Sequence, residues 1–199
     1  MITLLDYGAG NLASLEGALA RLGFTFQRAA TPEEDAGGLL LLPGVGHFGA
    51  AKQHLQDSGW WDALPDLAQT RPLLGICLGL QLLAEGSDEA GEEGLGLLRG
   101  TARRLGPGVK VPHMGWSRVR TAAPHLAMEN ADGAWLYFIH SYALEAGPDT
   151  LLTADHGRPF TAVAGRGRVL GFQPHPEKSG VDGLRLLKQS LLWMNEVRP

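Results

Sequence analysis

Pro72-Leu73-Leu74-Gly75-Ile76-Cys77-Leu78-Gly79-Leu80-Gln81-Leu82-Leu83 reads as a short apolar strand, an abrupt turn and a helix. The only cysteine of the chain stands on the turn, with Gly75 and Gly79 two residues to either side. That is the spacing of a G-x-S-x-G nucleophile elbow with sulfur in place of oxygen. A sharp strand-to-helix turn brings two backbones together, and a Cβ at either flanking position would collide with them. A cysteine there also lies at a helix N-terminus, where the partial positive charge favours a thiolate. A strand that ends in a helix in this way belongs to an α/β fold with a parallel sheet.

The rest of the chain agrees. Ile2 to Leu5 has strand length. Asp6-Tyr7-Gly8-Ala9-Gly10-Asn11 follows as a turn, then Leu12, Leu15, Ala18, Leu19 and Leu22 at helical spacing. Gly8-Ala9-Gly10 lacks the third glycine of a dinucleotide fingerprint. Phe24 to Arg28 reads as a second strand, and Thr31-Pro32 as a cap and first position of a helix. Leu39-Leu40-Leu41-Leu42 is apolar throughout, as a central parallel strand covered on both faces should be. It runs into Pro43-Gly44-Val45-Gly46, a loop at the carboxyl end of a strand, where open α/β sheets bind ligands. His47 behind it is a lone loop histidine. A helical segment ending near Trp60 and Trp61 leads to the elbow. A loop rich in glycine and acid, residues 85–96, comes after it.

From Leu97 to Val163 the strands are short and broken by Gly and Pro: 100–105, 116–119 and 135–138. This is an antiparallel excursion within an otherwise parallel, open, doubly wound sheet with helices on both faces. Val169 to Gln173 is the last strand, and Gly183 to Val197 a closing amphipathic helix. The length of 199 residues suits a single domain over the whole chain.

The last strand leaves at Pro174-His175-Pro176-Glu177-Lys178-Ser179. The prolines push Gln173 and His175 out of helical geometry. In an extended segment His175 and Glu177 share a face, within reach of one another. Thiol, imidazole and carboxylate then form a Cys-His-Glu arrangement for nucleophilic catalysis. The Leu78 N–H, just after the nucleophile, and the Gly44-Val45-Gly46 loop are the candidate oxyanion donors. Glycine lets a peptide of that loop turn its N–H toward or away from the reacting carbon. A Gly44→Ala change should therefore act on regulation more than on stability.

Composition excludes several classes. The formal net charge of −4 and the absence of a long basic run argue against nucleic acid. No apolar run approaches the ~20 residues of a membrane helix. No Cys/His cluster suggests a metal, and no cofactor is implied. One cysteine and no signal-peptide pattern after Met1 fit a reducing, cytoplasmic setting.

Gly75-Ile76-Cys77-Leu78-Gly79-Leu80-Gln81 together with His175-Pro176-Glu177 resembles the class I glutamine amidotransferases. Asp6-Tyr7-Gly8-Ala9-Gly10-Asn11-Leu12, Leu42-Pro43-Gly44-Val45-Gly46, Pro112-His113-Met114-Gly115-Trp116, His140-Ser141-Tyr142 and His175-Pro176-Glu177-Lys178-Ser179 narrow the likeness. They are similar to the glutaminase subunits of imidazole glycerol phosphate synthases in histidine biosynthesis. The resemblance implies that Cys77 attacks the side-chain amide of glutamine while His175 shuttles protons and Glu177 orients it. Gly46, Gln81, Ser141 and Tyr142 would bind the substrate. Ammonia would pass to a (β/α)8-barrel cyclase in a heterodimer, with Asn11, Trp116 and Lys178 at the interface and glutaminase activity raised by the cyclase and its ligand.

Two positions depart from that pattern: Ser117 stands where the subunits usually have asparagine, and Pro174 where they have phenylalanine. The alternatives are a glutaminase serving another ammonia-channelling synthase, such as that of pyridoxal phosphate, or a non-catalytic flavodoxin-like binding module with a structural Cys77.

Overall fold

A computed structural model describes residues 1–89 and 91–196. In chain order its elements are β1 (Ile2–Leu5), α1 (Leu12–Arg21), β2 (Phe26–Ala29), β3 (Leu39–Leu42), α2 (Phe48–Asp57), α3 (Trp60–Thr70), β4 (Leu73–Ile76), α4 (Leu78–Leu83), β5 (Gly86–Ser87), β6 (Glu92–Glu93), β7 (Thr101–Arg104), β8 (His113–Arg118), β9 (Arg120–Thr121), β10 (Trp135–His140), β11 (Tyr142–Leu144), β12 (Thr150–Asp155), β13 (Pro159–Arg166), β14 (Val169–Phe172) and α5 (Gly180–Glu196).

Eight strands form the main sheet in the order β2-β1-β3-β4-β14-β13-β12-β9. The first five run parallel and the last three antiparallel. Side chains of a strand alternate between faces, and here both faces are apolar. Leu39, Leu41, Leu74 and Ile76 join a core with Leu15 and Leu19 of α1 and Leu187 and Leu191 of α5. Leu40, Leu42 and Leu73 join a second core with Phe48 and Leu55 of α2, Trp60 and Leu64 of α3, and Leu80. All four leucines of β3 are buried, as the doubly wound reading requires. β4 lies between β3 and β14, so the elbow and the His175 turn leave neighbouring strands at the same end.

The antiparallel part takes three forms. β13, β12 and β9 extend the main sheet. β8 and β10 make a separate ribbon, paired from His113↔His140 to Arg118↔Trp135. β11, β7, β5 and β6 make a small sheet that draws part of the acid-rich loop into pairing.

Several local expectations shift. The second strand starts at Phe26, because the Phe24 N–H instead closes the end of α1 on the Leu19 carbonyl. Pro32–Glu34 is a single 3-10 turn, and the Thr31 hydroxyl makes no capping bond. Its end is held by the Arg71–Asp35 ion pair, with the Thr3 hydroxyl also donating to Asp35. The segment before the elbow is two helices, because Gly59 at φ 80° breaks it. Trp60 therefore opens α3, buried, with its indole N–H donated to the Ala30 carbonyl. Val197 of the expected closing helix lies outside the described residues.

Candidate active site

Cys77 has φ 54° and ψ −109°, a combination that L-residues rarely adopt. The surrounding structure enforces it. Its N–H is bonded to the Phe172 carbonyl at 2.6 Å. A Cβ on Gly75 would lie 2.7 Å from the Gly79 carbonyl carbon, and one on Gly79 would lie 2.1 Å from the Leu42 carbonyl oxygen. Both glycines are thus the steric condition for the turn. Leu78 opens α4, so its N–H has no acceptor within that helix.

The Pro43–Gly46 loop packs on this turn. A Cβ on Gly44 would come 2.7 Å from the Gly79 nitrogen and 2.8 Å from the Leu78 Cβ. Gly44 is therefore a packing glycine, and the expectation that Gly44→Ala would spare stability does not hold. The conformational freedom lies at Gly46, with φ +96° and open space around it. Tyr7 underlies the loop and donates its hydroxyl to the Pro43 carbonyl at 2.7 Å.

His175 and Glu177 meet through a turn rather than an extended run. Pro176–Lys178 is a 3-10 turn that folds the carboxylate back onto the imidazole. His175 Nδ1 lies 2.8 Å from Glu177 Oε1, so Nδ1 bears a hydrogen and Nε2 is the nitrogen left to face the reacting atoms. Nε2 is buried without a hydrogen-bond partner, and the ring lines a cavity with Cys77. Burial disfavours the imidazolium, but the Cys77 sulfur and the Glu177 carboxylate outweigh it and push His175 up to about 9. The turn is pinned to β10. The His175 N–H bonds the Tyr137 carbonyl at 2.9 Å, and the Ser179 hydroxyl accepts from the Tyr137 N–H and donates to the His175 carbonyl.

The cavity, about 300 Å³, is lined by Val45, Gly46, Cys77, Leu78, Gln81, Ser141, Tyr142 and His175, all expected from sequence, and also by Lys178. Gly44 is not among its lining residues. It borders a crevice of about 10 Å³ with Asn11, His175 and Glu177. Gln81 donates one amide hydrogen to the Tyr142 carbonyl at 2.9 Å and the other to Gln173 Oε1 at 3.1 Å. Its Oε1 is the atom left for a ligand.

Three residues of this region were given no role from the sequence, although Gln173 and His140 lie within stretches it singled out. Gln173 is fully buried, and its amide nitrogen lies 3.8 Å from the Cys77 sulfur. Glu89 lines the cavity and accepts the first N–H of α2, from Phe48, at 2.7 Å. His140 lines it too, bonded to the Tyr142 carbonyl. Gln173 carried a weak signal, its place before the Pro174-His175-Pro176 frame; Glu89 sits in an aperiodic acidic loop and carried none.

The three candidate partner contacts have different surroundings. Asn11 caps α1, its Oδ1 accepting from the Ser14 N–H at 3.4 Å. Trp116 is half exposed on β8, edge-on to Tyr137. Lys178 is exposed on the His175 turn. Ser117 bonds His113 Nε2 at 3.0 Å, and Pro174 is buried. His47 caps α2 through Nδ1, accepting from the Gly49 N–H. Among the described residues no group of His, Cys, Asp and Glu could hold a metal ion, and no helix is long and apolar enough to cross a membrane.

The family model described as glutamine amidotransferase class-I matches residues 3–193. The imidazole glycerol phosphate synthase subunit HisH of Desulfitobacterium hafniense is 44% identical over 202 residues, covering 98% of this chain and 96% of that protein. The HisH subunit of Sulfurimonas denitrificans is 40% identical over 206 residues, covering 98% and 99%. Among solved structures, one described as a glutamine amidotransferase superposes with a TM-score of 0.78 at 21% identity, covering 98% of this chain and 99% of the other. PurLQS from Thermotoga maritima gives 0.71 at 19% identity, covering 96% and 97%. At those identities the structures speak for the fold alone.

Proposed function

This chain belongs to the glutamine amidotransferase class-I family, and on that premise we propose how it works as the glutaminase subunit of an imidazole glycerol phosphate synthase in histidine biosynthesis. The observation that carries the reading is the strained Cys77 after β4, sharing one cavity with His175, whose Nδ1 is held by the buried Glu177.

Glutamine enters with its side-chain amide toward Cys77. Its α-ammonium faces Gln81 Oε1 and the Glu89 carboxylate, two acceptors on residues of the cavity wall. Cys77 gives its thiol proton to His175 Nε2, and the sulfur attacks the amide carbon. The oxygen takes up negative charge, stabilised by the Leu78 N–H and by an N–H of the Gly44-Val45-Gly46 loop; one such donor is worth ~2.7–4 kcal/mol. Collapse breaks the C–N bond as His175 gives its Nε2 proton to the leaving nitrogen, releasing ammonia and a thioester. His175 then takes a proton from water, which attacks the thioester and frees glutamate and the thiol. Glu177 holds Nδ1–H throughout, so that Nε2 faces the chemistry.

The released ammonia goes to a partner subunit, and we assign that role to a (β/α)8-barrel cyclase in a heterodimer. The docking face lies around the His175 turn, with Trp116, Lys178 and Asn11 on it. The crevice between Asn11 and His175 has room for a water-sized molecule. The test is a Cys77→Ala chain in complex with the cyclase and its nucleotide. Glutamine-dependent turnover should be lost, while turnover on free ammonia is kept. Glutamine hydrolysis by this variant would remove Cys77 from the mechanism.

A further inference from the structure

A directed chain of hydrogen bonds leaves the cavity wall through buried histidines. His140 Nδ1 lies 2.9 Å from the Tyr142 carbonyl oxygen. A carbonyl only accepts, so Nδ1 carries the hydrogen and His140 Nε2 is an acceptor. His113 Nδ1, 3.1 Å from that Nε2, must then donate to it. His113 Nε2 is left as an acceptor, and the Ser117 hydroxyl donates to it at 3.0 Å. One backbone carbonyl thus sets the sense of three successive bonds. The far end, Ser117, is the neighbour of Trp116 on β8.

The near end reaches the substrate wall. The Tyr142 carbonyl accepts from Gln81 Nε2 as well and, together with Gln173 Oε1, sets which way the Gln81 amide faces. The rings are confined: His113 stacks between Phe138, at 5.1 Å, and His156, at 4.2 Å. The groups facing the pair are one another, His156 and, for His140, His175. Burial first, and then these neighbouring imidazoles, hold His113 down to about 4 and His140 down to about 3, so both stay neutral near neutral pH.

We propose that His140 and His113 are positioning residues for glutamine: together they hold the Tyr142 carbonyl and, through it, the Gln81 amide with Oε1 toward the substrate's α-ammonium. His113 acts on the tautomer of His140. Without a donor at Nε2, His140 is free to move its hydrogen there, and a bare Nδ1 would then face the carbonyl. This role rests on the cavity being the glutamine site.

The experiment compares wild type, His113→Leu, His113→Asn and His113→Gln in complex with the cyclase and its nucleotide. Asparagine places an amide nitrogen where Nδ1 stood and can donate to His140; glutamine reaches the Nε2 position and cannot. Loss of one hydrogen bond should raise the KM for glutamine roughly three- to tenfold in the Leu and Gln variants, with kcat within about twofold, and Asn should restore KM. In parallel, ¹⁵N spectra of the imidazole rings in each chain should show His140 protonated at Nδ1 in wild type and His113→Asn, with that tautomer depleted in His113→Leu. An unchanged KM in His113→Leu, equal KM in the Asn and Gln variants, or Nε2-protonated His140 in wild type would each overturn the proposal. A wild-type complex that hydrolyses no glutamine would instead overturn the reading of the site, and the positioning role with it.

Discussion

The phenol of Tyr7 donates to the carbonyl of Pro43 at 2.7 Å, both residues buried, and so ties the loop after β1 to the loop that flanks Cys77. Burial, with Cys77 nearby, raises the phenol well above its usual range, so it is a neutral donor at working pH. Tyr7→Phe keeps the ring and leaves the Pro43 carbonyl without this partner. A buried acceptor left unpaired costs ~1–3 kcal/mol. Urea unfolding should show that loss with an unchanged m value, and, on the proposed oxyanion role of the loop, glutaminase kcat should fall more than KM rises. A fall in stability with kcat intact would mean that Tyr7 only supports packing.

Cys77 should reverse the usual order of alanine and glycine. Glycine within a helix or strand is ordinarily worse than alanine by ~0.5–1 kcal/mol. At φ 54° and ψ −109° a Cβ is the source of strain, and strained residues cost ~1–3 kcal/mol. Both variants lose the thiol, so their difference isolates the backbone. Cys77→Gly is expected to be more stable than Cys77→Ala by about 1 kcal/mol or more in chemical denaturation. Alanine equal to or better than glycine would mean that the elbow relaxes when the thiol is removed.

These features were legible to different depths. The elbow shows in sequence because its steric demand is local: Gly75 and Gly79 flank the only thiol, and their close contacts are with the same turn and the adjacent β3. The four leucines of β3 likewise announce a strand buried on both faces. Gln173 and Glu89 reach the site through contacts between segments far apart in the chain, such as Gln173 with Cys77 across 96 positions. No spacing rule encodes those. Gly44 illustrates the remaining gap: its sequence suggests freedom, and only the packing against Leu78 and Gly79 reveals a position chosen for lack of a side chain.

Stability should depend on pH through His175. Its pKa in the fold is raised to about 9, from an ordinary ~6.5. A group raised in this way binds its proton more tightly in the native state. The stabilisation is complete below pH ~6.5 and is lost as pH rises through about 9. Glu177→Gln removes one of the two partners that raise it. The stability gap between wild type and this variant should be widest below pH ~6.5 and narrow toward 9, measured by urea unfolding across that range. A gap that is constant with pH would assign the Glu177 effect to packing rather than to charge.

Trp116 is 51% exposed, a large apolar surface on the ribbon that holds the His175 turn. A lasting heterodimer buries more than ~1,000 Å², and buried aromatics carry much of its energy. Trp116→Ala should weaken binding to the cyclase by at least ~2 kcal/mol, about thirtyfold in Kd. The isolated chain should unfold almost as wild type does. Unchanged affinity in a titration would take Trp116 off the docking face.

The loop proposed to supply the second oxyanion donor has two glycines in different settings, and substituting each separates packing from switching. A Cβ on Gly44 strikes the backbone of α4, so Gly44→Ala should destabilise the fold by ~1–3 kcal/mol, the usual cost of overpacking. Gly46 meets nothing within 4 Å but holds φ +96°, which an alanine disfavours. Gly46→Ala should therefore bias the loop toward negative φ and reorient the peptide next to Val45, with less effect on packing. If cyclase and nucleotide act by turning a loop N–H toward the Cys77 site, the donor at stake corresponds to about 10²–10³ in kcat. The ratio of kcat with and without bound nucleotide should then change in Gly46→Ala. Steady-state kinetics on the free chain, the complex and the nucleotide-bound complex measure it. A ratio equal to that of wild type would place the control of hydrolysis elsewhere than in this loop.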